Sequence, residues 1–176
     1  MKSSIEVKKI GITELDVDAI VNAANSRLLE GGGVCGAIFH EAGSAELTKA
    51  CSEIGGCETG NAVITPGFNL QAKYIIHAVG PVWHGGNSNE GELLYSTYKQ
   101  SLTLAKENNC HSIGFPVISS GIYGYPKDEA WKIAVQACND FITDNSNYPI
   151  KIIFAVLSEK SKEIGEKVIA EIADLL

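Results

Sequence analysis

Short apolar runs alternate with longer segments of helical periodicity along this chain, and that alternation restricts the fold more than any other feature. Ser4 to Ile10 alternates in polarity. Ala19 to Ala23, Asn61 to Thr65, Tyr74 to Val79, Ile113 to Ile118 and Ile150 to Leu157 also read as strands, bounded by Gly, Pro or Asn. Several are apolar almost throughout, which suits strands covered on both faces. Between them, Leu94, Tyr98, Leu102 and Ala105 recur at helical spacing, as do Ala130, Ile133, Ala134, Ala137, Cys138 and Phe141. Pro126 suits the first position of that second helix, with Asp128 and Glu129 in the first turn, where the macrodipole favours acids. Ile164, Val168, Ile172 and Leu175 line one face of a C-terminal helix, and a shorter helix is expected from about Cys35 to Ala42. Strands interleaved with helices predict an α/β/α sandwich, with helices on both faces of a largely parallel sheet.

A length of 176 residues with no linker, repeat or low-complexity tract predicts one domain spanning 1–176. No apolar run approaches the ~20 residues of a membrane span, and Met1 to Ile10 lacks the apolar core of a signal peptide. Fourteen basic against twenty-one acidic residues give a net charge of −7, and Arg27 is the single arginine. That balance argues against a nucleic-acid partner, whose affinity comes from displacing counterions with basic groups. Cys35, Cys51, Cys57, Cys110 and Cys138 are odd in number and form no CxxC pair. They read as reduced thiols, mostly buried, in a cytoplasmic protein without a metal site.

Two glycine-rich stretches carry the chemical signal. Ala19-Ile-Val-Asn-Ala-Ala-Asn25 leads into Glu30-Gly-Gly-Gly-Val-Cys-Gly36, a strand end followed by a loop that opens a helix. Ile118-Ser-Ser-Gly-Ile-Tyr-Gly-Tyr125 repeats the arrangement before Pro126. Glycines bring bare N–H groups close to a ligand, and a helix start adds partial positive charge. Gly31, Gly33 and Gly36 satisfy GxGxxG, but no second strand ends in an acid at dinucleotide-fold spacing. Each loop alone reads equally as a tight turn or an anion site; two in one small domain favour a phosphate-bearing ligand. Neither glycine run holds an arginine, so main-chain amides would have to grip a diphosphate.

With Ile12-Thr13, Asp18-Ala-Ile-Val-Asn-Ala-Ala-Asn25, Gly31-Gly-Gly-Val34, Gly36-Ala-Ile38, His77-Ala-Val-Gly-Pro81, Phe115-Pro116 and Ser119-Ser-Gly-Ile-Tyr-Gly-Tyr-Pro126 in order, the sequence closely resembles the macro domain family. The resemblance implies a mixed, mostly parallel six-stranded sheet in a three-layer α/β/α sandwich. It also implies an activity: release of ADP-ribose from O-acetyl-ADP-ribose or from mono-ADP-ribosylated protein carboxylates, without metal or cofactor. Two other readings stay open, a non-catalytic ADP-ribose reader and a pocket for another nucleotide diphosphate.

The implied catalytic residues are Asn25, Gly33, Cys35 and Tyr123. Asn25 would bond the distal ribose, which Gly31, Gly32, Gly33, Val34 and Cys35 would wrap, beside Ala23. Ser119, Ser120, Gly121, Ile122 and Tyr123 would give N–H groups to the diphosphate. Gly11, Ile12 and Leu157 would meet the adenine.

The sequence departs from the family at four positions. Gly11 stands where an Asp usually reads the adenine amino group, and Leu157 where an aromatic stacks; Asp16 or Asp18 is an alternative partner for the base. Cys35 and Phe39 replace an Asp and a His. Cys35 is either a helix-start thiol of lowered pKa or a small wall residue. His40 should point away from it, about 140° around the helix. Asn22 reads as a strand-end cap bonding nearby backbone, a reading that stays open for Asn25 too, and His77 as a satisfied structural histidine. His40 and His84 read as surface residues, Trp83 and Trp131 as structural anchors, and Tyr123 and Tyr125 as rim or core aromatics.

Overall fold

The computed structural model describes residues 2–174. Six strands form one sheet: β1 (Ser4–Lys9), β2 (Ala19–Ala23), β3 (Ala62–Pro66), β4 (Tyr74–Ala78), β5 (Ser112–Phe115) and β6 (Lys151–Val156). Their order is β1-β6-β5-β2-β4-β3. All neighbours are parallel except β3, which runs antiparallel to β4 at one edge. The connection between β3 and β4 is too short for the dozen or more residues a parallel crossover needs, so the chain can only turn back.

Alternate residues of the central strands face opposite layers. Ala19 and Val21 join a core with Leu94, Tyr98 and Leu102 of α3 (Glu90–Glu107), Trp131 and Ala134 of α4 (Lys127–Asp144) and Val168 of α5 (Glu159–Asp174). Ile20 joins the other core, with Ile38 and Phe39 of α1 (Gly33–Ala42) and Leu47 and Cys51 of α2 (Ser44–Ile54). The sandwich expected from the alternation is therefore present, with both faces of the sheet covered.

Differences of detail have local causes. Helix α2 was not expected; it lies between Gly43 and Gly55, the latter a left-handed C-cap, and buries only Leu47 and Cys51. Helix α1 begins at Gly33, two residues earlier than expected, and Pro126 caps α4 with extended ψ 128° rather than entering it. β5 stops at Phe115, because Pro116 has no N–H to continue the ladder. Cys51, Cys110 and Cys138 are buried, but Cys57 is half-exposed rather than a core residue. Leu175, assigned to the face of α5, lies outside the described residues.

Candidate functional site

Five parallel strands, β1, β6, β5, β2 and β4, end on the same side of the sheet, and the segments leaving them gather where open α/β sheets bind ligands in a crevice beyond the strand ends. In that order they deliver Gly11 and Ile12, Leu157, the 116–126 loop, the 24–33 loop and Val79-Gly80. From β1 to β2 is three strand spacings, roughly 14 Å.

In the first loop, Asn25 closes a turn on itself. Its Nδ2 donates to Leu29 O at 2.8 Å, and its Oδ1 accepts from Leu29 N–H at 3.0 Å. One N–H and one lone pair of that amide remain for a ligand. Gly33 opens α1 at φ +57°, and the first-turn N–H groups of Gly33, Val34 and Cys35 have no acceptor within the helix. Gly36 is fixed by close approach, since a Cβ there would lie 2.6 Å from Gly31 O.

In the second loop alternate carbonyls, those of Ser119, Gly121 and Tyr123, are used, and four of the five amides from Ser119 to Tyr123 are open. Ser119 O accepts from Tyr125 N–H at 3.0 Å, Gly121 O from Gly124 N–H at 3.0 Å, and Tyr123 O from Trp83 N–H at 2.8 Å. The N–H groups of Ser119, Gly121, Ile122 and Tyr123 donate to no backbone carbonyl among the described residues, but that of Ser120, expected to reach the diphosphate as well, turns back to Val117 O at 3.3 Å. The loop is rooted by buried Tyr98, whose Oη accepts from Ile118 N–H at 2.9 Å and donates to Pro116 O at 3.3 Å. Gly80 lets the exit of β4 press against it, because a Cβ there would fall 2.5 Å from Ile118 Cγ2 and inside contact distance of Ser119 Oγ. That contact accounts for the glycine of His77-Ala-Val-Gly-Pro81. Two sets of open amides at adjacent strand ends can hold an anion without any cationic side chain.

Behind the first loop lies a polar chain. Asn22, almost fully buried, has its Nδ2 3.7 Å from Cys35 Sγ and 3.1 Å from His77 Nδ1. The strand-end cap expected for Asn22 is therefore wrong: it bonds two side chains, because its position on β2 faces α1 and the paired His77 of β4. His77 Nε2 lies 3.0 Å from Thr65 Oγ1, which donates to Pro66 O. Burial lowers the His77 pKa to about 4, so the ring is neutral, accepting at Nδ1 and donating at Nε2. His77 is thus a satisfied structural histidine, as expected.

Burial raises the Cys35 pKa above its usual value, and bonds from Gly31 N–H and Asn22 offset only part of that. The lowered pKa considered for a helix-start thiol is thereby corrected: desolvation outweighs the dipole, and the thiol stays protonated. It donates to Leu29 O at 3.6 Å. Phe39 is buried in the core and His40 is exposed, so neither supplies an acid or base beside Cys35.

At the other end, Ile12 is buried, mostly in the core, while Leu157 is 77% exposed just beyond β6. Of the two alternative partners for a base, Asp18 does not reach this end, while Asp16 is exposed two residues after the Ile12–Glu14 turn. Asp18 lies before β2, at the opposite side of the sheet, where its Oδ2 accepts from His111 N–H at 2.8 Å. Glu14 is the acid beside Gly11, its Oε2 3.2 Å from where a Cβ would stand. Ile122 is 95% exposed, Tyr123 is half-buried, and Tyr125 lies in the core with its ring 4.6 Å from Trp83. Ala23, Val34 and Ser120 are half-buried at the crevice, and Gly31, Gly32, Gly33 and Gly121 are exposed.

One contributor was not anticipated. Glu90 accepts from His84, Gly86 and Ser88 N–H at 2.8, 2.9 and 2.6 Å, folding the segment that carries Trp83. Burial would raise its carboxyl, but these bonds pull it down to about 2. The only sequence signal was an acid following Gly85-Gly86 at a helix start.

The family described as Macro domain matches residues 21–134. A macro domain-containing protein of Chlorobaculum tepidum is 51% identical over 166 residues, covering 94% of this chain and 95% of the relative. A Salmonella newport protein named O-acetyl-ADP-ribose deacetylase is 47% identical, covering 99% and 98%. Among solved structures, the Oceanobacillus iheyensis macrodomain with ADP aligns at TM-score 0.94 and 38% identity, covering 99% and 94%. The Trypanosoma brucei macrodomain in complex with ADP-ribose aligns at TM-score 0.86 and 39% identity, covering 93% and 68%.

Proposed function

Given that the chain belongs to the macro domain family, we propose that it binds ADP-ribose along the crevice and hydrolyses ADP-ribosyl esters. The carrying observation is the pair of open amide sets, from the first turn of α1 and from Ser119, Gly121, Ile122 and Tyr123, at the ends of neighbouring strands. The diphosphate lies across them. The distal ribose rests against Gly31 to Val34 and takes the free hydrogen-bonding positions of Asn25, with Tyr123 flanking it. The base lies toward Ile12, Gly11 and Leu157.

Water adds across the ester, and ADP-ribose and a carboxylic acid leave. The acid is acetic acid for O-acetyl-ADP-ribose, or a side-chain carboxyl for a mono-ADP-ribosylated protein. Cys35 is protonated, and neither buried Phe39 nor exposed His40 supplies an acid or base beside it, so the contribution assigned to the chain is positioning and charge stabilisation by fixed N–H groups. The ligand's phosphate orients the water. An ester suits such a site because a carboxylate departs without a strong general acid. The five free thiols suit a cytoplasmic setting.

The test is calorimetric titration with ADP-ribose, followed by incubation of micromolar enzyme with O-acetyl-ADP-ribose and with ester-linked ADP-ribosyl protein. Binding with release of ADP-ribose is expected. Tight binding without turnover would select the reader, which the protonated Cys35 favours; preference for another nucleotide diphosphate would sink the ligand assignment.

A further inference from the structure

We propose that Asn22 is a positioning residue for the ribose end of the crevice, acting through the Cys35 thiol; the ribose assignment rests on the function proposed above. Asn22 touches no surface from which it could meet a ligand, being 1% exposed. Its two N–H groups divide between His77 Nδ1 on the neighbouring strand, at 3.1 Å, and Cys35 Sγ on the first turn of α1, at 3.7 Å. The neutral, Nε2-protonated His77 is anchored in turn on Thr65. The sheet side of this chain is therefore rigid, and it ends on the sulfur.

Cys35 Sγ ties the first loop to the sheet: it accepts from Asn22 Nδ2 of β2 at 3.7 Å and donates to Leu29 O in the loop at 3.6 Å. Leu29 is also the residue that clasps both ends of the Asn25 amide. A connected route thus runs from β4 through Asn22 and Cys35 to Leu29 and Asn25. Asn22 Oδ1 is buried with no partner, a penalty that an apolar residue of similar shape would avoid. The amide's N–H groups are what such a residue would lack. In this arrangement Cys35 works as a hub for loop geometry, not as a nucleophile or acid.

The experiment is a double-mutant cycle of Asn22→Leu and Cys35→Ala, read by ADP-ribose titration and by hydrogen exchange of the bonded loop amides of Leu29 and Gly36. Each single variant should weaken ADP-ribose binding by about tenfold, and the double variant no further than the worse single. In the free protein, exchange of Leu29 and Gly36 should quicken while β2 and β4 stay protected. Effects that multiply in the double variant, or loop amides that exchange as in the wild type, overturn the proposal. If Asn22→Leu does not fold, Asn22→Ser and the exchange of Cys35→Ala decide the same question. Wild-type protein that fails to bind ADP-ribose would sink the function instead, and the exchange readout would still judge the hub.

Discussion

Gly80→Ala tests how the two loops are held together. The added Cβ would stand 2.5 Å from Ile118 Cγ2 and inside contact distance of Ser119 Oγ, with Ser119 Cβ at 3.6 Å. Carbon atoms prefer about 3.5–4.0 Å, so the exit of β4 and the 116–126 loop must part by roughly 1 Å. Neither side yields easily. Ile118 is buried with its N–H fixed to Tyr98, and Ser119 already sits at φ +67°. Overpacking of this kind costs about 1–3 kcal/mol, which for a chain of this length lowers Tm by about 2–12 °C. Because the displaced segment carries the open amides, turnover of O-acetyl-ADP-ribose should fall on the order of 100-fold. Thermal melts and ADP-ribose calorimetry read the two effects. Gly121→Ala is the stability control, since its Cβ meets nothing within 4 Å. Adding Ser119→Ala should recover part of the loss by removing the hydroxyl clash while leaving that with Ile118. If Gly80→Ala melts and binds like the wild type, the close approach does not set the loop and the reasoning is wrong.

Gly121→Glu should melt near the wild-type temperature yet lose ADP-ribose binding by at least ~100-fold, because a carboxylate about 5 Å from a diphosphate repels it by several kcal/mol; unchanged affinity would remove the diphosphate from this loop. Asn25→Ala should lower kcat by about 10–100-fold, more than it weakens ADP-ribose binding, because the ribose loses its orientation; equal losses would make Asn25 a binding residue only. Alkylation of Cys35, followed by mass spectrometry, should be slow at pH 7 and still be rising with pH at the ordinary thiol value of 9.0, where an unperturbed thiol begins to level off; fast labelling at neutral pH would restore the nucleophile. His77 takes up its proton near pH 4 in the fold but near 6.5 when unfolded, so the unfolded chain binds more protons between those values. Stability should therefore fall by up to ~3 kcal/mol as pH drops from 6.5 to 4. Glu90, held at about 2 against 4.5, loses its contribution between those two values and so overlaps only the acid end of that window. Urea melts of wild type and His77→Gln check this: the variant should show the flatter profile.

The architecture was legible because its signals are periodic. Runs such as Tyr74 to Val79 and the stripe through Ala130, Ala134 and Phe141 report which faces are buried without reference to any neighbour. Helix α2 was harder to see: two buried positions in a polar segment leave a weak stripe, and its glycine boundaries are its clearer mark. The two loops were visible as glycine-rich strand exits, but not that the second turns its carbonyls inward and leaves its amides open.

Sequence alone determined the alternation of strands and helices, the absence of a cationic grip in either glycine run, and the residues available at each strand end. Tertiary structure decided how those ends are ordered across the sheet, and so which of them face one another. It also decided the partners of Asn22, the protonation of Cys35, the place of Glu14 beside Gly11, and the reason Gly80 must be glycine. The division has a physical origin. Periodicity and turn preference are local properties of the chain, whereas desolvation, hydrogen-bond pairing and close approach depend on atoms far apart in sequence, as Asn22 and His77 or Gly80 and Ser119 are.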